Sequence, residues 1–223
     1  VANEKKSGWF SASELIDLYE LVPHRPSVID LTGGQPDLTP EWIPWMMKEL
    51  QKRRLDSSVY LWSDDNLSND YFWRFIPPED LEFLRTYPNY GKVCCFKGFD
   101  PISFAFNTGA SPDSFERQFE LFKRYIDLGI DLYAYATFTS CSSTDLPQAM
   151  AGFVDKLQRL RPNLPLRTVP LEIKSFSPMR SRMRMDHENA VRIQHEAVLQ
   201  WNEELSRRFS ETELHRPICE VEL

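Results

Sequence analysis

Along the chain, apolar residues recur at two alternating periods. Residues 11–22 (SASELIDLYELV) place Leu15, Ile16, Leu18, Tyr19 and Val22 at helical spacing behind a capping-type Ser13. Residues 27–31 (SVIDL) then form a short apolar run that predicts a buried strand. The same change of period repeats. Helices are predicted over 39–55, 78–86, 111–128 and 145–160, and strands over 58–62, 92–96, 131–138 and within 165–173. The helix opening at Ser111 has the firmest signature: Pro112 in its first turn, then Phe115, Phe119, Phe122 and Ile126, and Gly129 as its stop. A last helix carries Ala190, Ile193, Ala197, Trp201, Leu205 and Phe209 on one face.

Strand starts fall near residues 27, 58, 92, 131 and 165, which is 31 to 39 residues apart and the length of a βα unit. No hairpin signal interrupts them, and each helix can serve as a crossover, so the strands are expected to be parallel. The class is α/β, with about five parallel strands alternating with helices. Either a partial (β/α) barrel or an open doubly wound sheet meets this pattern, and in both the chemistry gathers at the carboxyl ends of strands. We expect one domain over 1–223, with a C-terminal helix at 186–210 and a tail at 211–223.

Composition narrows the picture only a little. The chain has 223 residues, 42% hydrophobic and 26% charged, which is the balance of a folded protein. A net charge of −7 argues against nucleic acid as a partner, and no apolar run reaches the ~20 residues of a membrane span. The four cysteines, Cys94, Cys95, Cys141 and Cys219, match no metal-ligand spacing and too few are present for a disulfide framework, so a cytoplasmic setting is expected.

The strand ends supply the candidate chemistry. After the first come Thr32, Gly33, Gly34, Gln35 and Pro36; after the second, Ser63, Asp64, Asp65 and Asn66. The third gives Lys97, Gly98, Phe99 and Asp100, with Asn107 further on; the fourth ends in Thr137, Thr139 and Ser140, and the fifth in Glu172 and Lys174. Such a rim suits a zwitterionic small molecule that also carries hydroxyls. Each residue has a plainer reading: the glycines as a tight turn, the Asp-Asp-Asn run as turn formers, Lys97 as a solvated lysine. Neither a GxxxxGK[ST] nor a GxGxxG nucleotide loop occurs. His24, His187, His195 and His215 all lie away from the expected strand ends, which weakens a Ser-His-Asp triad.

The segment LTGGQP resembles the GGEP motif of radical S-adenosylmethionine enzymes, with Gln35 where the family has Glu. CFKGFD at 95–100 is similar to the fourth-strand segment of the activating-enzyme relatives in that superfamily. The resemblance covers roughly residues 9–210. It implies a partial barrel whose first βα element is missing, because the family's CxxxCxxC cluster loop precedes the GG motif and does not occur in this chain. Residues 1–7 would then be the tail of that loop.

By the same resemblance, Gly33, Gly34, Gln35 and Pro36 would border the amino group of S-adenosylmethionine. Asp64, Asp65 and Asn66 would lie near its ribose or methionine, and Lys97 would meet its carboxylate. Asn107, Tyr135, Thr137, Glu172 and Arg180 are rim candidates for the substrate. The implied activity of the full-length protein is reductive cleavage of S-adenosylmethionine at a 4Fe-4S cluster, generating a 5′-deoxyadenosyl radical that abstracts hydrogen from a small-molecule or protein substrate. An electron donor such as ferredoxin or flavodoxin is implied as a partner, and no metal ligand is expected within this chain. Two other readings compete: a cluster-free module that binds a small ligand or partner on the same rim, and an aldolase or isomerase using Lys97 as its amine nucleophile.

Overall fold

The computed structural model describes residues 8–33, 36–142, 144–174 and 185–223. In chain order the elements are α1 (Ala12–Glu20), β1 (Val28–Leu31), α2 (Trp42–Lys52), β2 (Tyr60–Asp65), α3 (Tyr71–Phe75), α4 (Pro78–Thr86), β3 (Tyr90–Phe96), α5 (Pro101–Thr108), α6 (Arg117–Leu128), β4 (Asp131–Thr137), α7 (Leu146–Leu160), β5 (Thr168–Leu171), α8 (Met185–Arg208) and α9 (Glu211–Leu214). The five strands form one parallel sheet of order β1-β2-β3-β4-β5. Val28 to Leu31 register with Tyr60 to Ser63, and Ala134 to Thr137 with Thr168 to Leu171.

That order bears on the two architectures left open by the sequence. A doubly wound sheet reverses its strand order at a switch point. Here the order follows the chain without reversal in one open sheet, which is compatible with a partial (β/α) barrel. Among the described residues no helix is long and apolar enough to cross a membrane.

Local chemistry explains where elements start and stop. The cap of α1 is Ser11, not Ser13: the Ser11 hydroxyl accepts from the Glu14 amide, and the Glu14 carboxylate accepts from the Ser11 amide at 2.7 Å. The helix expected from residue 39 begins only at Trp42, and a separate 3-10 turn at Pro36–Leu38 precedes it. Pro44 is the third helical residue, where an amide would have no intrahelical partner, so its ring costs nothing there. The helix expected from Ser111 is likewise split, with a 3-10 turn at Pro112–Ser114 before α6. Three helices were not expected from the sequence: α3, α5 and the short α9, which lies in the segment read as a tail. Yet α5 carries clear marks: Asp100 and Ser103 form a capping box, Pro101 follows the cap, and Gly109 ends the helix at φ +70°.

The chain divides into two compact units, residues 1–93 with 125–131, and residues 94–124 with 132–223. In the first, Ile16, Leu31, Ile43, Met46, Met47, Leu50 and Leu61 pack between α1, α2 and the strands, each with 3% or less of its surface exposed. The second is built on aromatic rings. Phe96 lies 5.0 Å from Phe119 and 5.3 Å from Phe122, and Phe138 and Phe153 contact each other and Trp201. Burying each such ring contributes on the order of 2 to 3 kcal/mol.

Candidate functional site

Parallel pairing of β1 with β2 in the first unit sets Leu31 opposite Ser63, so the carboxyl ends of the two strands lie side by side. The next residues meet directly: the Thr32 hydroxyl donates to Asp64 Oδ2 at 2.5 Å. Gly33 follows at φ +106°, a conformation side chains resist, and a Cβ there would touch nothing within 4 Å. The glycine is therefore required by backbone conformation and not by crowding. Gly34 and Gln35 lie outside the described residues. Pro36 and Asp37 are buried in the 3-10 turn that follows.

Strand periodicity then divides residues that the sequence had grouped. Along β2, Leu61, Ser63 and Asp65 are buried while Tyr60, Trp62 and Asp64 are half-buried. Asp64 and Asp65 thus point to opposite faces of the sheet. On the Asp64 side stand Thr32 and, on β1, Asp30. Partial burial and the nearby charge of Asp64 raise the Asp30 carboxyl above its ordinary value. Asn66 is half-buried just past the strand.

Asp65 belongs to a closed polar network. Its Oδ1 accepts from the Leu67 amide at 2.7 Å, and its Oδ2 accepts from the Tyr125 hydroxyl at 2.5 Å and faces Lys92 Nζ at 3.5 Å. Lys92, with 1% of its surface exposed, also donates to Ser63 Oγ at 3.3 Å, and Ser63 shares a 2.8 Å hydrogen bond with Tyr90. The ammonium lies 5.3 Å from the centre of the Phe72 ring and 5.2 Å from that of Tyr125. Sequence reasoning gave Lys92 no role, and its only sequence signal is its place inside a strand of otherwise apolar residues.

In the second unit the CFKGFD segment is held largely by structural contacts. The Lys97 amide donates to Gln118 Oε1 at 2.7 Å, while its side chain is half-buried. A Cβ on Gly98 would lie 2.4 Å from the Phe104 amide nitrogen, so only glycine fits, and Asp100 caps α5. Asn107, expected near a strand end, sits in the last turn of α5. It is tied to the end of β4 by two bonds, Nδ2 to the Thr139 carbonyl at 2.9 Å and Oδ1 from the Thr139 hydroxyl at 2.6 Å.

Tyr135 and Thr137 share one face of β4, where Thr137 Oγ1 lies 3.8 Å from Cys95 Sγ. Glu172, just past β5, is exposed beside a cavity of about 370 Å³ shared with Lys174, Gln194 and His195. Arg180 lies outside the described residues. The structure thus joins Thr32, Gly33 and Asp64 in the first unit, sets Asp65 apart from them, and carries Lys97, Asn107, Tyr135, Thr137 and Glu172 in the second.

The cysteines do not compose a ligand set for an iron-sulfur cluster. Cys94 and Cys95 are adjacent strand residues on opposite faces and both buried, whereas Cys141 and Cys219 are exposed elsewhere in the chain. Among the described residues no group of three or more His, Cys, Asp or Glu is placed to hold a metal ion. In comparisons with known proteins, no family model matches the chain and no curated protein matches it.

Proposed function

We propose that this chain contributes the S-adenosylmethionine-binding part of a radical S-adenosylmethionine enzyme. One observation supports the reading above others: a left-handed glycine turn at the end of β1 stands beside Asp64 at the end of β2, in a parallel sheet whose strand order follows the chain. Exposed backbone at Gly33 offers carbonyl acceptors for an ammonium group, and Asp64 offers acceptors for ribose hydroxyls. Thr32 orients the Asp64 carboxylate from the adjacent strand.

When bound in such an enzyme, S-adenosylmethionine serves as the source of a carbon radical once an electron is delivered to it. The cysteines of this chain do not fit a cluster that would deliver that electron, so the part assigned to these residues is binding and orientation. Asp65 has no share in that contact, since both its oxygens are engaged with Leu67, Tyr125 and Lys92.

Calorimetric titration of the chain with S-adenosylmethionine tests the proposal. Saturable binding is expected, weakened roughly tenfold by Asp64→Asn, the scale of one lost charge-assisted hydrogen bond. Absence of binding by the wild-type chain overturns it. Binding that Asp64→Asn leaves unchanged removes Asp64 from the site.

A further inference from the structure

Asp37 immediately follows the glycine motif, and its carboxyl is held by a different part of the chain. Oδ2 accepts from Ser68 Oγ at 2.8 Å and from Asn69 Nδ2 at 2.9 Å, both in the loop after β2. That loop is itself rigidly built. Asp65 accepts from the Leu67 amide, Leu67 is buried at φ +51°, and Asn69 Oδ1 accepts from the Tyr71 amide at 2.8 Å to start α3. One buried side chain therefore ties the turn that follows β1 to the loop that follows β2. Those are the two strands whose ends carry Gly33 and Asp64.

The other oxygen, Oδ1, is buried with no hydrogen-bond partner among the described residues, and Asp37 exposes only 5% of its surface. A charged carboxylate with a bare buried oxygen is costly, and a neutral carboxyl much less so. Burial first, then the charge of Asp65, raises the Asp37 carboxyl above its ordinary value, while the Ser68 hydrogen bond, the residue's own backbone amide and Lys92 act in the opposite direction. Of the other element packed on this turn, α3, the charged side chain is Arg74, which lies against the Tyr71 and Phe75 rings.

We propose that Asp37 is a positioning residue of the ligand site, latching the glycine turn to the β2–α3 loop through Ser68 and Asn69. This rests on the S-adenosylmethionine reading for the identity of the ligand, but the latch itself does not. A carboxyl whose pKa is raised on folding keeps its proton where the unfolded chain has lost it. The latch is therefore strongest below the ordinary carboxylate pKa of about 3.9 and weakens as pH rises through the raised value.

Hydrogen–deuterium exchange of the ligand-free protein, followed over residues 37–38 and 65–71 as a function of pH, reads the latch directly. In the wild type, both segments should exchange faster relative to the rest of the chain as pH rises through that window. Asp37→Asn, which keeps an acceptor for Ser68 and Asn69 but cannot ionise, should flatten the profile. Ser68→Ala, at an exposed position, should speed exchange in both segments together.

Identical pH profiles for wild type and Asp37→Asn, or a Ser68→Ala protein with unchanged exchange, would overturn the proposal. Titration with S-adenosylmethionine forms the second arm. Asp37→Asn should bind as tightly as wild type at low pH and more tightly as pH rises, while Ser68→Ala binds several-fold more weakly. If exchange behaves as expected but no protein binds S-adenosylmethionine, the latch stands and the ligand reading fails.

Discussion

The two units fill the space behind their strands in opposite ways. In the second, Phe96, Phe119, Phe122, Phe138, Phe153 and Trp201 interlock as rings with no polar atom required among the phenylalanines. In the first, β2 and β3 direct Ser63, Asp65, Tyr90 and Lys92 inward, where Tyr125 and Phe72 complete the shell. Aromatic packing stabilises through area and tolerates many solutions. A buried ion pair returns little net stability after desolvation, yet it penalises any arrangement that leaves one partner alone. Its position here is informative: the network runs to the end of β2 and fixes Leu67, so it holds the loop that the Asp37 carboxyl grips.

The comparison is broken hardest in the aromatic unit. Phe153 is fully buried and contacts Phe96, Phe119, Phe138 and Trp201, so Phe153→Ala should cost about 4 kcal/mol, read as a lower midpoint in urea unfolding. In the polar unit, Lys92→Met should cost about 3 kcal/mol by stranding Asp65 without its cation. Adding Asp65→Asn should recover more than half of that loss, because the amide keeps an acceptor for Leu67 without a charge. No such rescue exists for an aromatic cavity, and a double variant no better than Lys92→Met alone would show that the pair acts by packing. The smallest effect is expected at the turn: Gly33→Ala should cost about 1 kcal/mol through its left-handed backbone, since there is ample room for the methyl group. A much larger loss would mean that the site is crowded in solution.

Much of the fold was legible because its signals are local. The Phe115, Phe119 and Phe122 steps, the Gly129 stop and the apolar runs at 27–31 and 131–138 all act within a few residues. The expected elements there match α6, β1 and β4. Errors came where short signals overlapped. A proline near a helix start produced separate 3-10 turns at Pro36–Leu38 and Pro112–Ser114, and the capping box of α5 was hidden inside a segment read as a strand end. The candidate site was only half legible. LTGGQP announced a turn at a strand end, and there Gly33 takes a positive φ next to Thr32, whose hydroxyl donates to Asp64. Asp64, Asp65 and Asn66 were grouped as one strand end, and which of them faces the turn depends on strand periodicity: Asp64 meets Thr32, while Asp65 is engaged by Leu67, Tyr125 and Lys92.

By itself, then, the sequence determined the alternation of strands and helices, their parallel sense and the turn at Gly33, because periodicity and backbone preference are properties of neighbouring residues. Only the tertiary structure decided the strand order, which bears on the choice between a partial barrel and a doubly wound sheet. It alone paired Lys92 with Asp65 and brought Asp37 to Ser68 and Asn69. The physical reason is that a buried polar group needs a partner that the fold brings to it, and those partners lie 27 to 32 residues apart along the chain, beyond the reach of any local pattern.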